Sequence, residues 1–189
     1  LTSASAWAEI GAGILNNPRM PMGYLGLGPA AASALEVFAH AAAPRGKPIF
    51  GIDSVEVGGT EYALSESTVV SKPFGNLLKF RRDHLPAGAP KLMIVAPMSG
   101  HYATLLRSTV KSLIPDCEVY ITDWHNARDI AVSDGKFDIE DYTLYLVDYL
   151  RHLGPDTHVI AVCQPVPLAL AATAYLAQED PKAQPLSLT

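Results

Sequence analysis

Cys163 lies within HVIAVCQPVPLAL, residues 158–170, where an apolar strand stops and an apolar helix begins. A thiol in that place is suited to nucleophilic chemistry. Ahead of a helix it faces the positive end of the helix dipole, which favours the anionic thiolate. The stretch has the form of a nucleophile elbow, a sharp strand-to-helix bend that needs small residues two positions to either side. Ala161 meets that need. Pro165 stands where glycine is usual, but a proline fits the first turn of a helix, where its missing N–H has no intrahelical partner. By residue type alone, a cysteine ending an apolar strand reads more readily as an inert core residue. The "CQP" sequence, the two early-helix prolines and a matching loop, PMSGHY, bring the two readings level.

The chemistry that such a thiol performs is acyl transfer, and it needs donors for a tetrahedral oxyanion. The N–H of Gln164, directly after the nucleophile, is one. The other comes from the loop after the preceding apolar strand, VAPMSG, with Met98 N–H the first candidate and Ser99 the second. Gly100 lets that backbone approach closely.

A base must also reach the thiol. His158 stands at the wrong end of its strand, about 17 Å from Cys163 at roughly 3.3 Å per residue. His40, His84 and His152 belong to helices or connectors away from the strand ends. His101 and His125 leave the correct ends, and His101 is the in-chain histidine worth entertaining; its other reading is a loop residue bonded locally. Asp123 is also at the correct end, where it reads as part of a polar turn. In elbow enzymes the chain order is nucleophile, acid, histidine, which puts both partners after Thr189. Cys117, between Asp116 and Glu118, reads as structural because nearby carboxylates disfavour a thiolate.

The elements that position these residues follow from periodicity. Residues 4–16 and 30–43 read as helices, with Trp7, Ile10, Ile14 and Leu15 near one face of the first and Leu35, Val37 and Phe38 as the apolar content of the second. IDSVEVGGTEYAL alternates around Gly58-Gly59, a hairpin whose tight primed turn requires positive φ. From KLMIVAP onward, apolar strands alternate with helices, ending in PLSLT, the start of another strand. Continuous apolar strands linked by helices imply a parallel sheet buried on both faces, with the hairpin as its antiparallel edge. Two segments result: a helical one, 1–50, and a sheet domain, 51–189, that breaks off before its remaining strands.

Composition narrows the function. At 49% hydrophobic and 17% charged the chain is globular. A net charge of −5 argues against nucleic acid as a partner. No apolar run is long enough for a membrane span, and the N-terminus does not read as a signal peptide. Two cysteines without a C-x-x-C pair, and histidines without ligand spacing, point to a reduced cytosolic setting with no metal.

KPIFGID, LMIVAPMSGHYATLLRSTV, EVYITDWHNARD, DGKFDIEDYTLYLVDYLRHLG and HVIAVCQPVPLALAATAYL together resemble the intracellular polyhydroxyalkanoate (poly(3-hydroxybutyrate)) depolymerases over nearly the whole chain. The resemblance implies an α/β-hydrolase fold, here its N-terminal half, with a mixed, mostly parallel sheet. It implies a Cys-Asp-His triad with Cys163 as nucleophile, and cleavage of stored polyester at cytoplasmic granules, without a cofactor. The family's acid and histidine have no matching positions before Thr189. Two other readings stay open: a polyester synthase-like acyltransferase, disfavoured by the proline after "CQ", and a non-catalytic granule-binding α/β module docking through the apolar N-terminal segment.

Overall fold

A computed structural model of the chain describes residues 2–19, 21, 27–43, 46–98 and 102–189. It divides into two units, Leu1–Lys47 and Pro48–Thr189.

The first unit holds helices α1 (Thr2–Leu15) and α2 (Leu27–Ala42), which pack on each other. The buried positions differ from those expected from side-chain size. Ser5, Ala8 and Ala12 of α1 and Ala32 and Ala39 of α2 are buried, while Trp7, Ile10, Ile14, Val37 and Phe38 are exposed. The reason is the spacing of small residues. Positions 5, 8 and 12 fall on one helical stripe, and a Cβ added at Gly11 would stand 3.1 Å from Leu35 Cδ1. The helices meet where their side chains are small.

The second unit is built on a seven-stranded sheet in the order β1-β2-β3-β5-β4-β6-β7. Its strands are β1 (Ser54–Val57), β2 (Thr60–Lys72), β3 (Gly75–Arg82), β4 (Lys91–Val95), β5 (Glu118–Trp124), β6 (Thr157–Ala161) and β7 (Ser187–Leu188). The expected hairpin is present. Val57 pairs Thr60 across Gly58 and Gly59, both at positive φ (59° and 80°). A second hairpin, not anticipated, turns at Pro73-Phe74 between Lys72 and Gly75. Strands β1 and β3 run against the other five, so the sheet is mixed and mostly parallel.

Three helices join the parallel strands: α3 (Arg107–Leu113), α4 (Ile139–Leu153) and α5 (Val166–Glu179). The start of α4 is a full capping box. Asp138 accepts from the Glu140 and Asp141 N–H groups, and the Asp141 carboxylate accepts from the Asp138 N–H. Gly154 ends it at φ 83°. Alternation along the strands sorts the core into two layers. Leu77, Met93, Val95, Tyr120 and Val159 pack with Tyr142, Leu146, Tyr149 and Leu150 of α4 and Ala172 and Leu176 of α5. Phe80, Ile94, Val119 and Ile121 face the other way, against Leu106, Val110 and Ile114.

Crossovers on opposite faces send the chain from β4 through α3 to one neighbour, β5, and from β6 through α5 to the other side, β7. The carboxyl ends of β4 and β6 therefore flank a topological switch point, where open α/β sheets bind ligands.

Gly75 at the head of β3 has no room for a side chain: a Cβ there would stand 2.7 Å from Trp124 Cε3. Gly75→Ala must push a buried indole aside, and overpacking of that kind costs about 1–3 kcal/mol. Urea melts of the two proteins are expected to show a lower midpoint for the variant with an unchanged slope.

Candidate active site

The parallel register sets the frame. Val95 of β4 pairs with Ala161 of β6. Met98 and Gln164 each follow three residues later, so the two expected donors leave adjacent strands at equal distance from paired ends. Val162 N–H adds one more bond to Val95 O (3.2 Å) before the chains diverge.

Directly before Gln164 stands Cys163, exposed and with φ at 67°. Among the described residues only His84 shares a positive φ without being glycine. A β-carbon in the left-handed region costs roughly 1–2 kcal/mol, so something must hold it there. β6 is paired on both sides, by β4 and β7. On the far side Pro165 is buried, and its carbonyl accepts from Ala169 N–H (2.8 Å), which starts α5. A rigid strand and a rigid helix thus leave the bend to the residue between them. Pro165 stands at the elbow's usual glycine position with φ at −77°.

The β4 end is fixed by side chains. Ala96, wholly buried, donates its N–H to Thr122 Oγ1 (2.9 Å). Its carbonyl accepts from Trp124 Nε1 (3.0 Å) and from the Tyr142 hydroxyl (3.3 Å). Burial pushes the Tyr142 phenol well up, so it stays a neutral donor. The peptide two residues before Met98 is therefore held from β5 and α4 together. Nothing in the local sequence pointed to Thr122, Trp124 or Tyr142 for this task. Their partners are 26, 28 and 46 positions away, and only the sheet order brings them together.

Met98 N–H is not idle. It donates to Gln164 Oε1 at 3.1 Å. Beside Met98 a cavity of about 470 Å³ opens, lined by Tyr102, Trp124, His125, Asn126, Ala127 and Arg128. His125 is turned by the β2–β3 hairpin: its backbone N–H donates to Phe74 O (3.0 Å) and its Nδ1 to Pro73 O (2.9 Å). A carbonyl only accepts, so Nδ1 is the donor of that bond. Asp123 is not in a polar turn. It is the sixth residue of β5 and 2% exposed, because the strand continues through Trp124.

The remaining candidates separate cleanly. His158 lies near the start of β6, its Nδ1 2.8 Å from Ser187 Oγ. Cys117 precedes β5; burial, then the Asp116 carboxylate, pushes its thiol up, which suits a structural residue. Ser99, Gly100 and His101 lie outside the described residues.

The strand order, with one reversed strand beside the parallel set and a sharp β6–α5 bend, defines an α/β-hydrolase fold. No protein-family model matches the chain, and neither does any curated protein sequence. Solved structures similar to it include a putative lipase from Acinetobacter baumannii AYE, at 16% identity and TM-score 0.47, covering 66% of this chain and 40% of that one. Carboxylesterase CesB from Bacillus subtilis is similar at 14% identity and TM-score 0.42, covering 68% and 42%. Brefeldin A esterase, a bacterial homologue of human hormone sensitive lipase, is similar at 13% identity and TM-score 0.41, covering 92% and 45%. The chain thus spans less than half the length of each. Among the described residues no helix is long and apolar enough to cross a membrane.

Trp124→Phe keeps an aromatic ring but removes one donor from the Ala96 carbonyl. A lost hydrogen bond with a small packing defect is expected to destabilise the fold by about 1–2 kcal/mol. Thermal melts of the two proteins check this.

Proposed function

We propose that the protein is an ester hydrolase whose substrate is stored intracellular polyhydroxyalkanoate, with Cys163 as nucleophile and the Met98 and Gln164 N–H groups as oxyanion donors. The observation that carries this reading is the left-handed backbone of an exposed cysteine at the β6–α5 bend. Strain held at one non-glycine residue by a rigid frame is characteristic of functional positions, and an elbow is the device that presents a nucleophile above a sheet. The polyester substrate and the cytoplasmic granule come from the sequence resemblance. The triad acid and histidine, on the same resemblance, follow Thr189.

The reaction is a two-step acyl transfer. The Cys163 thiolate adds to the ester carbonyl carbon, forming a C–S bond and moving the π pair onto oxygen. Met98 and Gln164 N–H groups bind the oxyanion. Its collapse breaks the C–O bond, and the departing alkoxide takes a proton from the triad histidine to leave as a hydroxyl chain end. Water then adds to the thioester, giving its proton to the now neutral histidine; the C–S bond breaks, and the acid is released with the thiolate and the protonated histidine restored. The cavity is lined by Met98, one of the two proposed donors, and its mixed apolar and polar lining suits a short hydroxyacyl unit.

Cys163→Gly tests the assignment, because glycine tolerates the left-handed backbone. In the complete protein the variant is expected to melt no lower than the wild type, yet to lose release of 3-hydroxybutyrate from native granules by at least about 10³-fold. Release at the wild-type rate removes Cys163 from the mechanism. Polymer formed from hydroxyacyl-CoA would instead assign the same thiol to an acyltransferase.

A further inference from the structure

We propose that the side-chain carbonyl of Gln164 occupies the oxyanion position on the Met98 N–H in the free protein, so that every ester must displace it; this rests on the ester-cleaving reading above. Gln164 plays two parts. Its backbone N–H follows the elbow cysteine, and among the described residues none accepts a hydrogen bond from it. Its side chain turns back across the β4–β6 gap and takes the other donor, Met98 N–H, at 3.1 Å. An oxyanion bound by both donors needs a lone-pair-bearing oxygen in the place that Oε1 now fills. The carbonyl of an exposed glutamine is free to rotate away, whereas the Met98 donor sits just beyond the clamped Ala96 peptide.

The competition is selective for charge. An amide carbonyl and an ester carbonyl are both neutral acceptors, so the ground-state substrate gains little by exchanging one for the other. The tetrahedral oxyanion forms charge-assisted bonds, roughly twice as strong, and outcompetes the amide. Gln164 therefore suppresses ground-state binding and yields at the transition state, and it keeps the donor aligned while no ester is bound. A role as a third donor to the oxyanion, through its side-chain NH₂, would need the opposite orientation of the amide toward Met98.

The test uses the complete protein and a soluble 3-hydroxybutyrate oligomer. Gln164→Ala removes the competitor and is expected to raise kcat/KM about two- to tenfold, the range of one neutral hydrogen bond. Gln164→Glu is expected to lower it relative to wild type, increasingly so as pH rises through the carboxyl's titration, because the carboxylate accepts more strongly than the protonated acid. The second readout is independent of turnover. Hydrogen exchange at the Met98 amide, without ligand, is expected to quicken in Gln164→Ala. A trifluoromethyl ketone that adds reversibly to the thiolate, forming a C–S bond and an oxyanion, is expected to bind the Ala variant more tightly by the same factor. A kcat/KM in Gln164→Ala equal to or below wild type, or unchanged Met98 exchange, overturns the proposal. Failure of the ester-cleaving reading looks different: Cys163→Gly keeps its turnover, whatever the Gln164 variants do.

Discussion

The indole of Trp124 is the contact on which this architecture converges. Its face lies against the bare backbone of Gly75, which β3 supplies because any side chain there would collide with it. Its Nε1–H holds the Ala96 carbonyl at the end of β4. Its ring packs at a tilt against Tyr142, centroids 4.2 Å apart, and joins Phe137, Tyr145 and Tyr149, so α4 is attached through the same side chain. The Tyr149 hydroxyl completes the arrangement by donating to Gly75 O (3.0 Å). One residue at the last position of β5 thus ties three strands and a helix together at the ends of the sheet where the candidate site lies. A buried aromatic with its polar atom paired contributes area and direction at once. That combination suits a place where backbone groups must be aimed as well as packed.

The second constraint is the bend at Cys163. A left-handed non-glycine residue persists only when its surroundings leave no alternative. Here the alternatives are removed from both sides: β6 is an interior strand, hydrogen-bonded to β4 and β7, and α5 begins at a buried proline with φ at −77°. Moving Cys163 to an ordinary φ would redirect either the strand or the helix, and each is anchored by core residues such as Val159 and Leu176. The strain is local, and the stability that maintains it is spread over the sheet.

How much of this was legible in the sequence depends on the range of the interaction involved. The Gly58-Gly59 hairpin and the run of apolar strands are local patterns, and they appear as read. The fold class followed from their order. Where an outcome depends on distant partners, the reading failed or was silent. The N-terminal helices bury alanines rather than Trp7 or Phe38, because close helix approach favours small side chains over large ones. Asp123 reads as a turn residue by type but is held in β5 by pairing with Asn76 of β3. The Thr122, Trp124 and Tyr142 clamp on Ala96 has no local signature at all. Of the candidate site, the sequence reading named the backbone N–H groups of Met98 and Gln164 but not the bond from Met98 N–H to the Gln164 side chain, since a side-chain amide's partner is set by geometry rather than by residue type.

That bond shows how a single register governs the candidate chemistry. Parallel pairing of Val95 with Ala161 places Met98 and Gln164 in equivalent positions beyond the sheet, on chains that then depart toward opposite faces. A slip of one residue would invert the side chains of β6 between the two cores. Val159 would leave the layer under α4 and α5, and Cys163 would no longer stand level with the end of β4. The hydrophobic alternation that buries Met93, Val95 and Val159 on one face is therefore also what sets the spacing between the elbow thiol and the donor on the neighbouring loop. Core packing and site geometry are not separate properties here. The same register that satisfies the first determines the second, and mutations deep in β4 or β6 that weaken the register should act on the site without touching it.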